Sequence, residues 1–284
     1  MQMPKSFHHY LVLMRMDKPV GWLLLLWPTL WALWIANEGR PSVLYITVFT
    51  LGVIVMRSAG CVINDYADRD IDPLVARTKN RPIAAGHVSA NQALVLFGFL
   101  CLLALGLLIL LPTRVWPWSI PAVVITILYP FMKRFIQAPQ LVLGLAFSFS
   151  IPMVYVAADK SFDGIFSLLF IANFLWVLMY DTVYAMSDRE DDLKIGVKSS
   201  AILFDRFDKM VLGFLQITVV VLWFLLMNLL NLFPVFFVTL LIVILLFAYQ
   251  QWLVRDRERD ACFQAFLNNA WVGGIIWLGL LATL

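Results

Sequence analysis

Aspartates recur at helical spacing in two short stretches of the chain. Residues 64–72 read Asn-Asp-Tyr-Ala-Asp-Arg-Asp-Ile-Asp. If this segment is helical, Asp65, Asp68 and Asp72 fall within about 60° of one another, because each residue of a helix turns about 100°. Asn64 lies beside them. Like charges on one helical stripe repel one another, so such a stripe is kept more readily when a cation binds it.

A second acidic stretch lies at residues 181–192. Here Asp181, Asp188 and Asp192 fall within about 40° of one another on a continuous helix. An acidic helix end is ordinarily a solvated terminus, and that interpretation stays open for either stretch taken alone. Two such stretches, each followed by basic residues, favour a shared site. The basic residues are Arg77, Lys79 and Arg81 after the first stretch, and Lys194 and Lys198 after the second.

The residue types in these stretches indicate a hard cation bound together with a phosphate group. Oxygen ligands without His or Cys suit Mg²⁺, which takes one or two carboxylates, keeps water and bridges to substrate phosphates. Lys and Arg supply the phosphate contacts that carboxylates cannot make. No glycine-rich phosphate loop is present in the sequence, which disfavours nucleotide hydrolysis. The predicted metal ligands are Asn64, Asp65, Asp68, Asp72, Asp188 and Asp192, and the five aspartates among them are the predicted catalytic residues.

Two charged residues lie deeper in apolar sequence. Arg57 precedes Asn64 by seven residues, and Asp181 precedes Asp188 by seven. Each is therefore about 10 Å inward of its acidic stretch, at about 1.5 Å per residue. A charge inside a spanning helix is costly and ordinarily faces a cavity or a partner. We predict that both side chains line a substrate chamber, singly or as a pair. The alternative is that each snorkels to the end of its helix, which is less favourable for the short Asp181.

The elements that must position these residues are membrane helices. Hydrophobic residues make up 62% of the 284 residues and charged residues only 14%. A soluble domain is nearer half apolar and a quarter charged, so this composition argues against a water-soluble enzyme and against disordered or disulfide-scaffold classes. A spanning helix needs about 20 apolar residues. The nine segments that qualify are roughly 20–37, 43–63, 92–111, 115–132, 139–158, 164–186, 210–230, 233–252 and 263–283.

Charge in the predicted loops sets the orientation. Of the 21 basic residues, 17 lie in the N-terminal tail or in the loops after the second, fourth, sixth and eighth spans. Cytoplasmic loops carry an excess of Lys and Arg. We therefore predict a cytoplasmic N-terminus and a periplasmic C-terminus, with both acidic stretches at the cytoplasmic face. The expected fold is an all-α polytopic membrane protein, with a single integral-membrane domain over residues 1–284.

The acidic stretches resemble the motifs of the UbiA superfamily of membrane prenyltransferases. The Asn-Asp-x-x-Asp-x-x-x-Asp motif of that family is matched by residues 64–72, and its Asp-x-x-x-Asp motif by Asp188 and Asp192. Other stretches are most similar to the bacterial branch that prenylates 4-hydroxybenzoate. They spread over nearly the whole chain, at residues 15–19, 26–34, 60–69, 77–82, 129–134, 184–189 and 194–199.

The resemblance implies nine helices around a central cavity, dependence on Mg²⁺ and a polyprenyl diphosphate donor. It implies transfer to the ring carbon ortho to the hydroxyl of 4-hydroxybenzoate, a step of ubiquinone synthesis at the bacterial inner membrane. For the acceptor's carboxylate the first candidate is Arg134, because of its bidentate fork, followed by Lys133 and Arg57. Aromatic faces that could stabilise an allylic cation are Tyr129, Tyr184 and Trp27. The predicted substrate-binding residues are Arg57, Arg77, Arg81, Lys133, Arg134, Asp181, Lys194 and Lys198.

Three other functions stay open on the sequence alone. A prenyltransferase of the same superfamily with a naphthoate, homogentisate, haem or chlorophyllide acceptor would carry the same motifs. A cation-coupled transporter would also use membrane carboxylates, although here they cluster at one face and no inverted repeat is visible. A structural subunit of a membrane complex would have no reason to concentrate carboxylates. We expect no nucleic-acid partner, and the sequence identifies no protein partner.

Overall fold

The protein is built from α-helices joined by short 3₁₀ turns. The computed structural model describes residues 5–75, 77–132 and 134–284, with side chains from residue 7 onward, and this part of the chain contains no strand. The helices are α1 (Lys5–Leu13), α2 (Val20–Ala36), α3 (Val43–Ala67), α4 (Ala90–Ile109), α5 (Trp116–Met132), α6 (Gln140–Ser148), α7 (Ser150–Ala157), α8 (Gly164–Ile195), α9 (Ser200–Phe204), α10 (Asp208–Leu229), α11 (Val235–Leu253) and α12 (Arg259–Thr283).

The helices agree with a multi-pass membrane protein. Among the described residues, eight helical stretches are long and apolar enough to cross a membrane, and the predicted first span forms the shorter helix α2 of 17 residues. Every predicted span is occupied by helix, but the count of nine stays a prediction because α2 is short for a bilayer. The all-α polytopic fold is confirmed.

Two predicted spans differ in detail from the helices that form them. The fifth consists of two helices, α6 and α7, which meet at Phe149. Pro152 has no backbone N–H to donate to the carbonyl four residues earlier, so the helix is interrupted there. The sixth predicted span ends at residue 186, but α8 continues for another two and a half turns to Ile195. It ends at Gly196, whose φ of 71° closes the helix in the left-handed conformation that glycine adopts without strain.

Helix α8 packs against α6, α10 and α12 and lines a cavity. Next to this helix, α2 and α12 approach each other closely, because the ring of a tryptophan on α2 packs directly against glycines on α12. The ring of Trp27 lies where a Cβ at Gly273 would stand, and the indole Nε1 of Trp31 donates a hydrogen bond to the Gly273 carbonyl at 3.1 Å. Small residues at such a crossing allow the two helices to pack with little space between them.

Loops that the charge pattern assigns to one side of the membrane contact one another in the structure. Lys160 donates to Glu38 at 2.7 Å, and Arg114 lies 2.9 Å from Asp159. The same end of the bundle holds Leu284, which lies against the loop at Gly39. Both acidic stretches lie at the opposite end. The bundle therefore has two distinct polar ends, as the predicted topology requires.

Candidate functional site

A cavity of about 1370 Å³ connects the acidic end of the bundle with its apolar interior. Its wall contains residues of both acidic stretches and of the basic segments that follow them. The polar lining includes Asn64, Asp65, Asp68, Asp72, Asp188, Asp192, Arg15, Arg77, Arg81 and Lys198. The deeper lining is largely apolar and includes Leu24, Phe49, Val53, Val123, Phe147 and Met153. A cavity of this kind suits a ligand with a charged head and an apolar body.

The first acidic stretch is not one continuous helix, which corrects the expectation from its spacing. Helix α3 ends at Ala67, and Asp68 is its C-cap. The chain then turns, with the Asp72 amide donating to the Asp68 carbonyl at 2.8 Å. Arg134 also donates from Nη2 to the Ala67 carbonyl at 2.7 Å, where the helix leaves that oxygen without a partner of its own.

Arg81 holds the turned first stretch together. Its Nη1 lies 3.1 Å from Asp65 and 3.0 Å from Asp72. Burial alone would lower the pKa of the Arg81 guanidinium, but the charges of Asp65 and Asp72 outweigh burial and raise that pKa. Burial raises the pKa of Asp72, and Arg81 opposes the rise. The turn thus brings the three aspartates to the cavity as the sequence predicted, but through an ion pair rather than a helical stripe.

The second acidic stretch is helical, as predicted. Helix α8 runs through Asp181, Asp188 and Asp192, and all three residues line the cavity. Asp188 is buried, whereas most of the polar residues that follow it on the helix are more accessible.

Arg77 joins the two stretches. It follows the first stretch in the chain and donates to Asp188 of the second, from Nε at 2.9 Å and from Nη2 at 2.5 Å. Its guanidinium also lies over the ring of Tyr184, 4.6 Å from the ring centroid. Burial would lower the pKa of Arg77, but Tyr184 and Asp188 outweigh it and raise that pKa. A bidentate pair of this kind fixes the two stretches at one site.

Arg15 belongs to the site but was not identified from the sequence. It follows α1 with a left-handed φ of 57° and donates from Nη2 to both carboxylate oxygens of Asp65, at 2.8 and 2.9 Å. In the sequence, its charge contributes to the predicted topology. The similarity of residues 15–19 to the prenyltransferase family is the signal that could have identified it. A charged residue in such a stretch, outside any predicted span, is a candidate for the site.

The donor set of the two acidic stretches fits a hard cation. No three His, Cys, Asp or Glu side chains in the described ranges are already gathered in a ligand arrangement. Three of the carboxylates are held instead by arginines: Asp65 by Arg15 and Arg81, Asp72 by Arg81, and Asp188 by Arg77. The set offers carboxylate and amide oxygens without sulfur or imidazole, which is the chemistry that Mg²⁺ prefers.

The two deeper charges both line the cavity, but they do not pair. Arg57 donates from Nε to the Gly21 carbonyl at 3.2 Å, and its guanidinium lies over Phe147 at 5.7 Å from the ring centroid. Asp181 lines the same cavity and, within the described part of the chain, forms no hydrogen bond or ion pair. The predicted placement of both residues in one chamber agrees with the structure.

Two of the predicted substrate-binding residues, Arg134 and Lys194, lie outside the cavity, and a third, Lys133, is not among the described residues. Arg134 does not line the cavity, because its guanidinium contacts the carbonyl end of α3. Lys194 also lies outside the cavity, with its side chain 73% exposed and its Nζ 3.8 Å from Asp191. Lys198 does line it and donates to the Phe135 carbonyl at 3.1 Å. Lys133 lies outside the described residues.

The fold and the site define a polytopic membrane protein that places paired acidic motifs and arginines over an apolar cavity. Residues 25–273 match the sequence profile of the UbiA prenyltransferase family. The chain therefore belongs to the UbiA prenyltransferase family.

Curated relatives of high similarity cover almost the whole chain. The chain is 51% identical to the 4-hydroxybenzoate octaprenyltransferase of Aeromonas hydrophila over 271 residues, which is 95% of this chain and 94% of that protein. It is 50% identical to the 4-hydroxybenzoate octaprenyltransferase of Tolumonas auensis over 278 residues, 98% of this chain and 97% of that protein.

Solved structures share the fold at lower sequence identity. The apo structure of a UbiA homolog from Aeropyrum pernix K1 superposes with a TM-score of 0.80 at 23% identity, over 92% of this chain and 97% of that chain. A UbiA homolog from Archaeoglobus fulgidus bound to GPP and Mg²⁺ superposes with a TM-score of 0.73 at 18% identity, over 96% of this chain and 99% of that chain. These likenesses show the fold.

Proposed function

We propose that this protein is a Mg²⁺-dependent 4-hydroxybenzoate polyprenyltransferase of ubiquinone biosynthesis. It transfers a polyprenyl group from a polyprenyl diphosphate to the ring carbon ortho to the hydroxyl of 4-hydroxybenzoate. The observation that carries the proposal is that both acidic motifs open into one cavity whose depth is apolar. The names of the relatives at about 50% identity and the GPP and Mg²⁺ of the Archaeoglobus fulgidus homolog support it.

The diphosphate binds at the polar end of the cavity. Asn64 and the five aspartates of the two motifs hold the metal, which when bound neutralises the diphosphate and makes it a better leaving group. Arg77 and Arg81 contact the phosphate oxygens, and their planar guanidinium groups suit bidentate contacts with phosphate. Lys198 lies at the same wall and adds positive charge. Arg15 contributes a further cation beside Asp65.

The polyprenyl tail and the aromatic acceptor occupy the apolar part of the cavity. Tyr129 and Tyr184 line it and present ring faces that stabilise an allylic cation. Among the candidates for the acceptor's carboxylate, Arg57 is favoured over Arg134, because Arg57 lies within the cavity and Arg134 does not. A guanidinium with donors left over after one bond to a carbonyl suits a carboxylate ligand.

We propose that the site faces the cytoplasm from the bacterial inner membrane. The protein then forms one domain of nine spans over residues 1–284, with its N-terminus in the cytoplasm and its C-terminus in the periplasm. The excess of Lys and Arg at the acidic end of the bundle supports this orientation. The contacts between Glu38 and Lys160, and between Arg114 and Asp159, join the loops after the first, third and fifth predicted spans. They support the proposal that these loops share the periplasmic side.

Product analysis with purified protein tests the proposal. The protein in detergent is incubated with a polyprenyl diphosphate and, separately, 4-hydroxybenzoate, 1,4-dihydroxy-2-naphthoate or homogentisate, with Mg²⁺ or with a chelator. We expect a prenylated benzoate, identified by mass, only with Mg²⁺ and 4-hydroxybenzoate. Product with another acceptor but not with 4-hydroxybenzoate would overturn the acceptor, and full activity in chelator would overturn the metal dependence.

A further inference from the structure

We propose that Asp181 is the catalytic base that removes the ring proton during prenyl transfer, an inference that rests on the function proposed above. Asp181 lies on α8 within the membrane part of the bundle and lines the cavity. Asp181 is half-buried and borders the open space of the cavity. Among the described residues the Asp181 carboxylate has no hydrogen bond and no ion pair, so its lone pairs are available to a ligand in the cavity.

The surroundings of Asp181 single it out among the carboxylates of the cavity. The charged or titratable groups near it are Arg57 from α3, Tyr129 from α5, and Tyr180, Tyr184 and Asp188 from its own helix. Arg57 is a cation that cannot accept a proton. Asp188 accepts two hydrogen bonds from Arg77 and belongs to the proposed metal site. Asp181 is therefore the carboxylate on the inner side of that site that is not already engaged.

Its height in the cavity suits the position that the proposed reaction requires of the acceptor ring. Asp181 lies seven residues, about 10 Å along the helix axis, inward of Asp188. With the diphosphate held at Asp188, the allylic carbon extends toward the apolar interior. The ring that attacks this carbon must lie further inward still, at the level of Asp181. An intramembrane carboxylate ordinarily faces a cavity or a charged partner, and Asp181 faces the cavity that it shares with Arg57.

The chemical step balances with Asp181 as the proton acceptor. The bond between the allylic carbon and oxygen breaks, and its electron pair leaves with the diphosphate. The ring carbon ortho to the hydroxyl supplies the pair for the new carbon–carbon bond, which leaves that carbon bearing both hydrogen and the prenyl group. Asp181 takes this proton, and the two electrons of the broken carbon–hydrogen bond restore the aromatic ring. The neutral acid then releases its proton to water at the open polar end of the cavity.

Asp181→Asn tests this role, because it keeps the shape of the side chain and removes the base. We expect turnover with 4-hydroxybenzoate to fall by about 10²- to 10⁴-fold, the range that a positioned base contributes. Acceptor deuterated at the two ring positions beside the hydroxyl should show a primary isotope effect in Asp181→Asn that the native protein lacks. Asp181→Glu should recover part of the rate. Cleavage of the donor should persist, seen as migration of ¹⁸O from the bridging to the non-bridging position of the diphosphate.

Glu190→Gln is the matched control, since Glu190 is an exposed carboxylate on the same helix and does not line the cavity. Its turnover should equal that of the native protein. Undiminished turnover in Asp181→Asn, or a loss without the deuterium effect, would overturn the role of base. Loss of ¹⁸O migration in Asp181→Asn would overturn it as well, because that result assigns Asp181 to donor binding. If the proposed function itself is wrong, the native protein forms no prenylated benzoate, a result distinct from all of these.

Discussion

Arg77 and Asp188 are 111 residues apart in the chain, yet the guanidinium of one donates two hydrogen bonds to the carboxylate of the other, at 2.9 and 2.5 Å. This contact is the direct link between the segment that follows the first acidic motif and the second acidic motif. It places the first motif, which spans the end of α3 and the turn after it, and the second motif, on α8, over the same cavity. Without such a link, two acidic helix ends would be two solvated termini.

Replacement of Arg77 should therefore impair catalysis more than folding. In Arg77→Ala both the link to Asp188 and a proposed phosphate contact are lost, and we expect kcat/KM to fall by about 10²-fold or more, since a fixed donor at a developing charge contributes that much. Arg77→Lys should recover only part of the activity, because an ammonium cannot form the bidentate pair. Steady-state kinetics at saturating Mg²⁺ measures both. Equal activity of Arg77→Lys and the native protein would contradict the bidentate role.

Arg57 and Arg134 should respond differently to substitution, although both were candidates for the acceptor's carboxylate. Arg57 lines the cavity, so Arg57→Ala should raise the KM for 4-hydroxybenzoate and leave the KM for the donor nearly unchanged. Arg134 bonds the Ala67 carbonyl, so Arg134→Ala should lower the stability of the protein by about 1 kcal/mol, the usual contribution of one hydrogen bond. Kinetics with varied acceptor, together with thermal unfolding in detergent, separates the two. A selective rise in acceptor KM in Arg134→Ala would reverse the assignment.

The packing of α2 against α12 should tolerate no side chain at Gly273. A Cβ there would collide with the ring of Trp27, and overpacking of this kind typically costs about 1–3 kcal/mol. We expect Gly273→Ala to lower the thermal unfolding midpoint. Gly98→Ala is the matched control, because a Cβ at Gly98 on α4 meets open space and alanine favours a helix by about 1 kcal/mol over glycine. A Gly273→Ala protein as stable as Gly98→Ala would contradict the described crossing.

The family, the all-α polytopic fold and the alignment of the second acidic stretch were predictable from the sequence. Apolar length defines the spans, and the spacing of Asp181, Asp188 and Asp192 already agrees with a continuous helix. The break at Phe149 was predictable in principle, because Pro152 removes a backbone donor.

The rest depends on contacts between distant parts of the chain. Local spacing predicted one helix through Asp72, but α3 ends at Ala67, where Arg134 from the end of α5 bonds its carbonyl. The family similarity of residues 15–19 could mark the stretch of Arg15, but it could not identify Asp65 as the partner, because Asp65 lies 50 residues away. Lys194 has the charge and position expected of a phosphate contact, yet the turn of α8 directs it away from the cavity. Charge in a sequence identifies candidates, and tertiary contacts decide between them.

The claim that both acidic motifs bind one Mg²⁺–diphosphate group is tested most directly by the binding of a non-reactive polyprenyl thiolodiphosphate in the presence of Mg²⁺. Calorimetry compares the native protein with Asp65→Asn, with Asp188→Asn and with Asp70→Asn, the last a control because Asp70 is 78% exposed and lies outside the cavity. We predict that Mg²⁺-dependent binding is lost in both Asp65→Asn and Asp188→Asn and kept in Asp70→Asn. Full Mg²⁺-dependent binding in either Asp65→Asn or Asp188→Asn would contradict a site shared by the two motifs.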